Sequence, residues 1–303
     1  MPVTRRIYVS MPADDWLTPA QNDMKWGVVE RIEQLGYTPE IFTDPSGRES
    51  LSSGLSWSAS DADEIARHCH GAAIIGLPRW VFKAREGTVY LPTEYCQYEG
   101  AIARTLGLPL LILAQSNLMR RVVFDGNFGY YIGEFPEGAD KSWLSTKQFE
   151  TCFGHWRTRL EKRRDVFLGY CSGSSATARI LRDFLEQEIG ATVLDWQRDF
   201  TPGRSILEEI EEARSRCAAG IFLFTSDDKL RGARGGHQAA PRDNVVFEAG
   251  YFASAKGKRR VLIVLQKGVK MPADLGGDIY ASLEDKTDLA PAYDTIWRFF
   301  ASL

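Results

Sequence analysis

Apolar residues along the chain fall into two alternating patterns. Uninterrupted runs such as "GAAIIGL" (71–77), "LPLLILA" (108–114), "AAGIFLFT" (218–225) and "RRVLIVL" (259–265) fit strands covered on both faces. Between them stand segments with apolar residues at helical spacing. In "ATARILRDFLEQEIG" (176–190), Ile180, Leu181, Phe184, Leu185 and Ile189 share one side, and Gly190 is placed to end the helix. In the first half, "RRIYVSMP" and "YTPEIF" add strands, and helices are expected over 18–36, 58–70 and 91–107. In the second half, "RDVFLGY" and "ATVLDW" add strands, and helices are expected over 203–217 and 244–257. Ser205 and Glu208 are spaced as a capping box.

Each half therefore runs β-α-β-α-β-α-β and ends on a helix, a glycine (Gly107 or Gly257) and an apolar strand. The expected fold is α/β: two tandem flavodoxin-like domains, with parallel sheets and helices on both faces. Residues 1–145 form the first, 164–303 the second, and 146–163 a helical connector rich in charge and aromatics. In such sheets ligands bind beyond the carboxyl ends of the strands. That directs attention to "YCSGSSA" (170–176), "DWQRDFTPGR" (195–204) and "TSDDKLRGARGGHQAAPRD" (225–243).

Composition narrows the function classes. With 37 Lys and Arg against 40 Asp and Glu, the net charge is −3, and no basic run marks a track for a nucleic-acid polymer. The apolar runs are too short to span a bilayer, and "MPVTRRIYVSMP" lacks a signal region, so a cytoplasmic protein without membrane attachment is expected. Five irregularly spaced cysteines do not suggest a disulfide framework. His68-Cys69-His70 has no second Cys/His pair at ligand spacing, so no metal site is expected.

The chemistry-bearing candidates lie in the second half. The small residues Ser172, Gly173 and Ser174 open a helix, where free N–H groups favour anions; a tight structural turn would look the same. Trp196 and Phe200 could stack on a base and Arg198 or Arg204 could meet phosphate, or the aromatics could pack down on the sheet. The stretches 228–243 and 196–204 contain few apolar residues and are expected to be loosely held. In "PRDNVVFEAGYF" (241–252), Asn244 is placed to cap a helix and Glu248 follows its first turn, where an anion is stabilised. A glutamate serving only the helix dipole would fit equally well.

The series "GRSILEEI", "LFTSDD", "PRDNVVFEAGYF", "GKRRVLIVL" and "MPADLGG" resembles the TIR-like domains of bacterial antiphage effectors gated by cyclic nucleotides or oligonucleotides, over about 164–303. That resemblance implies an NAD+ glycohydrolase with Glu248 as its catalytic residue, and NAD+ as substrate with no further cofactor. For such a substrate the expected contacts, read from the loops beyond the strand ends and the start of the following helix, are Tyr170, Ser172, Gly173, Ser174, Trp196, Arg198, Phe200, Asp227, Arg242 and Asn244. It also implies self-association on activation, by a cyclic nucleotide or oligonucleotide signal. In the first half, "YCQYEGAIARTLG" resembles the W-C-x-x-E helix of TIR domains, with Tyr95 for Trp and Glu99 as the glutamate. It also resembles the glutamate helix of nucleoside deoxyribosyltransferase-like domains. Two alternatives stay open: a non-catalytic signalling module, and a nucleoside N-glycosidase or deoxyribosyltransferase centred on the first half.

Overall fold

The uninterrupted apolar runs become the inner strands of two parallel sheets. The computed structural model describes residues 3–42, 44, 46, 50–231, 237–275 and 280–303. The chain divides into two units, Thr4–Lys162 and Arg163–Leu303, the latter with Val3.

The first unit runs β1 (Arg6–Ser10), α1 (Pro19–Gln34), β2 (Thr38–Glu40), α2 (Ala59–Arg67), β3 (Gly71–Gly76), β4 (Trp80–Ala84), β5 (Gly87–Leu91), α3 (Glu94–Thr105), β6 (Leu110–Gln115), β7 (Ile132–Phe135) and α4 (Lys147–Glu161). The second runs β8 (Arg164–Gly169), α5 (Ser175–Phe184), β9 (Val193–Asp195), α6 (Trp196–Asp199), α7 (Ile206–Arg216), β10 (Cys217–Phe224), β11 (Asp228–Arg231), β12 (His237–Ala240), α8 (Asp243–Lys256), β13 (Val261–Gln266), β14 (Ala281–Leu283) and α9 (Tyr293–Ala301).

The sheet orders are β2-β1-β3-β6-β7 and β14-β13-β10-β8-β9, with every pairing parallel. Numbered within each unit, both sheets read 2-1-3-4-5. The order reverses between the first and third strands, and this switch point is where such folds take ligands. Each sheet is covered on both faces. In the first unit, Met24 and Val28 of α1 pack with Phe149, Phe153 and Trp156 of α4 on one side, and Ile65 of α2 with Cys96 and Ala103 of α3 on the other. In the second, Leu181 of α5 and Ile296 of α9 cover one face, and Ile210 of α7 with Val245 and Phe252 of α8 the other.

Local chemistry sets the helix ends. Thr18 and Gln21 form a capping box ahead of Pro19, and Ser205 and Glu208 form the expected one. The helix over 176–190 stops being regular at Phe184, continues as a π turn and ends at Gly190 with φ 74°.

Several elements differ from the pattern-based expectation. The helix expected as a connector lies in the first unit, its apolar side in that core. Two antiparallel hairpins, β4–β5 and β11–β12, stand between the third strand and the following helix of each unit. The second falls in a stretch expected as a loosely held loop. Within it, 232–236 lie outside the described residues, as do Gly276 and Gly277 of "MPADLGG". The fifth strands and α9 are further additions. Trp196 and Phe200 are not loosely held either: Trp196 donates from Nε1 to the Tyr170 carbonyl at 3.1 Å, and the Phe200 ring lies parallel to Phe167 at 6.0 Å. Two aromatics suffice to anchor so short a segment.

Candidate functional site

The carboxyl end of β8 lies at the switch point of the second sheet, and its last residue is Gly169. A Cβ built there would clash with Phe222 Cδ1 and meet Glu248 Oε2 at 3.1 Å. Only a hydrogen fits, so glycine lets the Glu248 carboxylate approach the strand backbone.

Glu248 is the sixth residue of α8. Val245, Ala249 and Phe252 are buried, and Glu248 shares their side at the end nearest the loops. The helix begins at Asp243, and Arg242 rather than Asn244 is its N-cap, without a side-chain cap bond. Glu248 therefore sits in the second turn, where the helix end helps it less than expected. It is half-buried, and among the described residues no hydrogen bond or ion pair meets its carboxylate. Burial alone pushes its pKa up to about 7. A buried carboxylate without a partner is costly to keep, which makes it a candidate for use by a ligand.

Next to β8 the chain enters the Ser172–Ser174 turn. Ser174 is buried; its hydroxyl lies 2.6 Å from Thr225 Oγ1 and donates to Asp227 Oδ1 at 3.0 Å. Thr225 donates to Asp227 Oδ2 at 2.6 Å, and Lys286 Nζ reaches Asp227 Oδ1 at 3.0 Å. Burial alone would raise the Asp227 pKa, but donors from Thr225, Lys286, Cys171 and Ser174 outweigh it and hold the carboxyl below its usual range. Asp227 is thus a hub that fixes the turn rather than a free contact. Ser172 and Gly173 are exposed at the mouth, and a Cβ at Gly173 would make only ordinary contacts, the nearest at 3.5 Å.

The remaining sequence candidates do not all converge on Glu248. Tyr170 follows Gly169 and points to the opposite side of the sheet. Its hydroxyl donates to Asp195 Oδ1 at 2.7 Å, and burial with that partner pushes the phenol pKa upward. Arg198 bonds Glu186, Asp199 and the Val193 carbonyl. Tyr170 and Arg198, with Arg179 and Arg182, line a separate cavity of about 520 Å³. Phe200, by contrast, packs on Phe167, which shares the strand face of Gly169. Trp196 packs against the cores of both faces. Arg242 bonds Asp228 Oδ1 at 2.7 Å, and Asn244 is exposed in the first turn of α8. Sequence reasoning passed over Gly169, Thr225 and Lys286. A glycine closing an apolar strand was the available signal for the first; the other two come together only through the fold.

In the first unit, Glu99 accepts from Tyr8 Oη at 2.9 Å, from Trp57 Nε1 at 2.7 Å and from Ser10 Oγ. Burial raises its pKa, opposed by these donors. Tyr95 is exposed and packs on Trp57, with centroids 4.5 Å apart. No group of acidic, His or Cys residues among the described residues could hold a metal ion. No helix among them is long and apolar enough to cross a membrane.

Comparison with known proteins places the similarity in the second unit. Residues 165–285 match the family described as "CAP12/Pycsar effector protein, TIR domain". The Pycsar effector protein BcPycTIR of Burkholderia cepacia is 32% identical over 121 residues, 39% of this chain and 39% of that protein. A CD-NTase-associated protein 12 of Niabella drilacis is 29% identical over 147 residues, 46% and 47% of the two chains. The Pycsar effector protein PaPycTIR of Pseudomonas aeruginosa is 31% identical over 131 residues, 39% and 42%. Each match spans less than half of the relative's length. The second half thus resembles this TIR family, as its motif series implies, and Glu248 lies inside the matched stretch.

Proposed function

We propose that the protein is an NAD+ glycohydrolase acting as an antiphage effector, with Glu248 as the group that makes cleavage possible. The single observation behind this is the half-buried carboxylate without a partner at the switch point, held over Gly169. Breaking the nicotinamide–ribose bond leaves a ribose with oxocarbenium character. A fixed carboxylate beside that ribose stabilises the developing positive charge, most strongly where water is thinned out. The bonding pair leaves with nicotinamide, which departs neutral because its ring nitrogen was cationic. No general acid is needed for that step. Water then adds to the ribose C1, giving ADP-ribose and a proton.

The substrate's cationic ring also favours the ionised form of Glu248, so binding lowers the pKa that burial raised. The exposed Ser172–Gly173 turn at the start of α5 offers N–H groups to the pyrophosphate. Phe200, on the strand face of Gly169, offers an apolar wall. The relatives' names speak of effectors. On that likeness the protein acts in the cytoplasm and is switched on by a cyclic nucleotide or oligonucleotide signal, with self-association. The test is to incubate purified protein with NAD+, with and without candidate cyclic nucleotides, and follow free nicotinamide and ADP-ribose. Release of both in equal amounts supports the enzyme. No release under any condition leaves the non-catalytic signalling module as the better account.

A further inference from the structure

The hairpin of the first unit leaves one strand edge open. β4, with the sequence WVFKA, pairs with β5 along one side. The far side of β5 is met by residues 118–119: Tyr90 bridges Leu118, and the Met119 N–H donates to the Tyr90 carbonyl at 2.9 Å. The other side of β4 faces no strand among the described residues. All five residues of β4 are exposed, so both of its faces stand clear of the core. Val81 and Phe82 keep 57% and 52% of their surface accessible. The aromatic surface continues at the base of the hairpin, where the Arg79 guanidinium lies over the exposed rings of Trp16 and Trp80, 3.6 and 4.5 Å from their centres.

An open apolar edge is a template for another strand, and proteins that do not use one blunt it with prolines, bulges or several charges. β4 carries one charge, Lys83, and no proline, and its Trp80, Val81 and Phe82 are strong strand formers. Its own sequence fits a second copy. Laid antiparallel on its mate about a two-fold axis at Phe82, β4 sets Phe82 against Phe82, Trp80 beside Ala84 and Val81 beside Lys83. The lysine's methylene stem then covers the valine, and the two ammonium groups do not face each other. An axis at Lys83 would set them in direct opposition. Beyond the strand ends this register brings Arg79 near Arg85 of the other copy. The Arg79 charge is already spread over two tryptophan faces, and Glu94 Oε2 stands 3.5 Å from Trp80 Nε1, placed to receive that Arg85. Neither Arg85 nor Glu94 has an ion pair among the described residues.

We infer that the open edge of β4 pairs antiparallel with β4 of a second copy of this chain, joining two chains through one four-stranded sheet. Backbone hydrogen bonds along the edge supply the pairing, and the Phe82 rings meeting at the axis supply its apolar centre. The contact is isologous: each copy spends the same edge, so it closes at two chains and leaves no edge for a third. It gives a surface to the self-association in the proposed function, and rests on that reading only for its part in activation. The pairing itself does not depend on NAD+ cleavage.

The test is sedimentation velocity on the full chain, without nucleotide, from about 1 to 100 µM. The wild-type chain should pass from monomer to dimer across this range. Phe82→Glu and Phe82→Lys each set like charges at the axis, and each should weaken the dimer by about a hundredfold. An equal mixture of the two variants sets opposite charges there and should recover it, which pairing at any other surface would not do. Should either variant fail to fold, Phe82→Cys decides. Opposed Cα atoms of antiparallel strands lie about 4.5–5.5 Å apart, within disulfide reach, so oxidised glutathione should link that variant, and not the wild type, into a covalent dimer. A wild-type chain still monomeric at about 100 µM would overturn the proposal and leave the edge to a foreign strand. So would charged variants that associate as the wild type does, a mixture that stays monomeric, or a cysteine variant that does not cross-link. Because mass rather than turnover is read, these results leave the reading of Glu248 to nicotinamide release.

Discussion

At the scale of single residues, the account rests on the charge of Glu248. Burial pushes its pKa up to about 7, so on the proposed mechanism protonation of Glu248 should limit activity around neutral pH. The ionised form is the one that stabilises an oxocarbenium ion. The kcat/KM for NAD+ should therefore rise with pH through about 7, and fall roughly tenfold per unit well below it. A profile flat from pH 5.5 to 8.5 would count against Glu248. The same shift has a stability consequence. Its folded-state pKa lies above the unfolded value, so between them the folded state holds a proton that the unfolded state has lost. Stability then falls as pH rises through this window and stays lower above it. Allowing for partial solvent access, Glu248→Gln should stabilise the fold by about 1–2 kcal/mol at pH 8 and by little near pH 4.5, read by denaturant titration at both values. Glu248 was legible in the sequence as a carboxylate in an apolar run, but its isolation was not. That depends on Gly169 and Phe222, distant in sequence, leaving room beside it without supplying a donor.

At the scale of elements, the strand end and the turn beside it set the geometry. Gly169→Ala would drive a methyl into Phe222 and against the Glu248 carboxylate. Overpacking of this kind costs about 1–3 kcal/mol, and the displaced carboxylate should lower kcat more than it raises KM. Wild-type kcat in this variant would contradict the placement. Asp227→Ala leaves Ser174, Thr225 and Lys286 without their shared acceptor. It should destabilise the second unit by roughly 1–3 kcal/mol, visible as a lower denaturation midpoint. The regular elements were largely legible, because apolar runs and capping boxes are local signals. The hairpins were not. "WVFKA" is exposed throughout, and "HQAA" is too short and polar to read as a strand. The split between Tyr170 with Arg198 on one side and Glu248 on the other was also hidden. One step past the end of β8, from Gly169 to Tyr170, turns the side chain to the opposite face, and neighbours in one loop need not share a face.

At the scale of the whole molecule, two units with one strand order carry glutamates at matching positions in different states. One carboxylate is saturated by core donors and Trp57; the other is open. The repeated β/α order of both halves was visible in the sequence, whereas the difference in occupancy depends on long-range hydrogen bonds. A resting effector that consumed NAD+ constantly would exhaust its host. Activity is therefore expected to need assembly or a nucleotide signal, a shift of population toward a competent state. Specific activity should rise with protein concentration or on adding the activating nucleotide. High, unchanging activity in a protein that stays monomeric over about a hundredfold dilution would rule out this form of control. Nicotinamide release from NAD+ under activating conditions, compared between wild-type protein and Glu248→Gln of unchanged circular dichroism, decides whether the Glu248 carboxylate carries the cleavage. The variant should lose about 100- to 1000-fold in rate. Turnover by Glu248→Gln within a few-fold of wild type would contradict it.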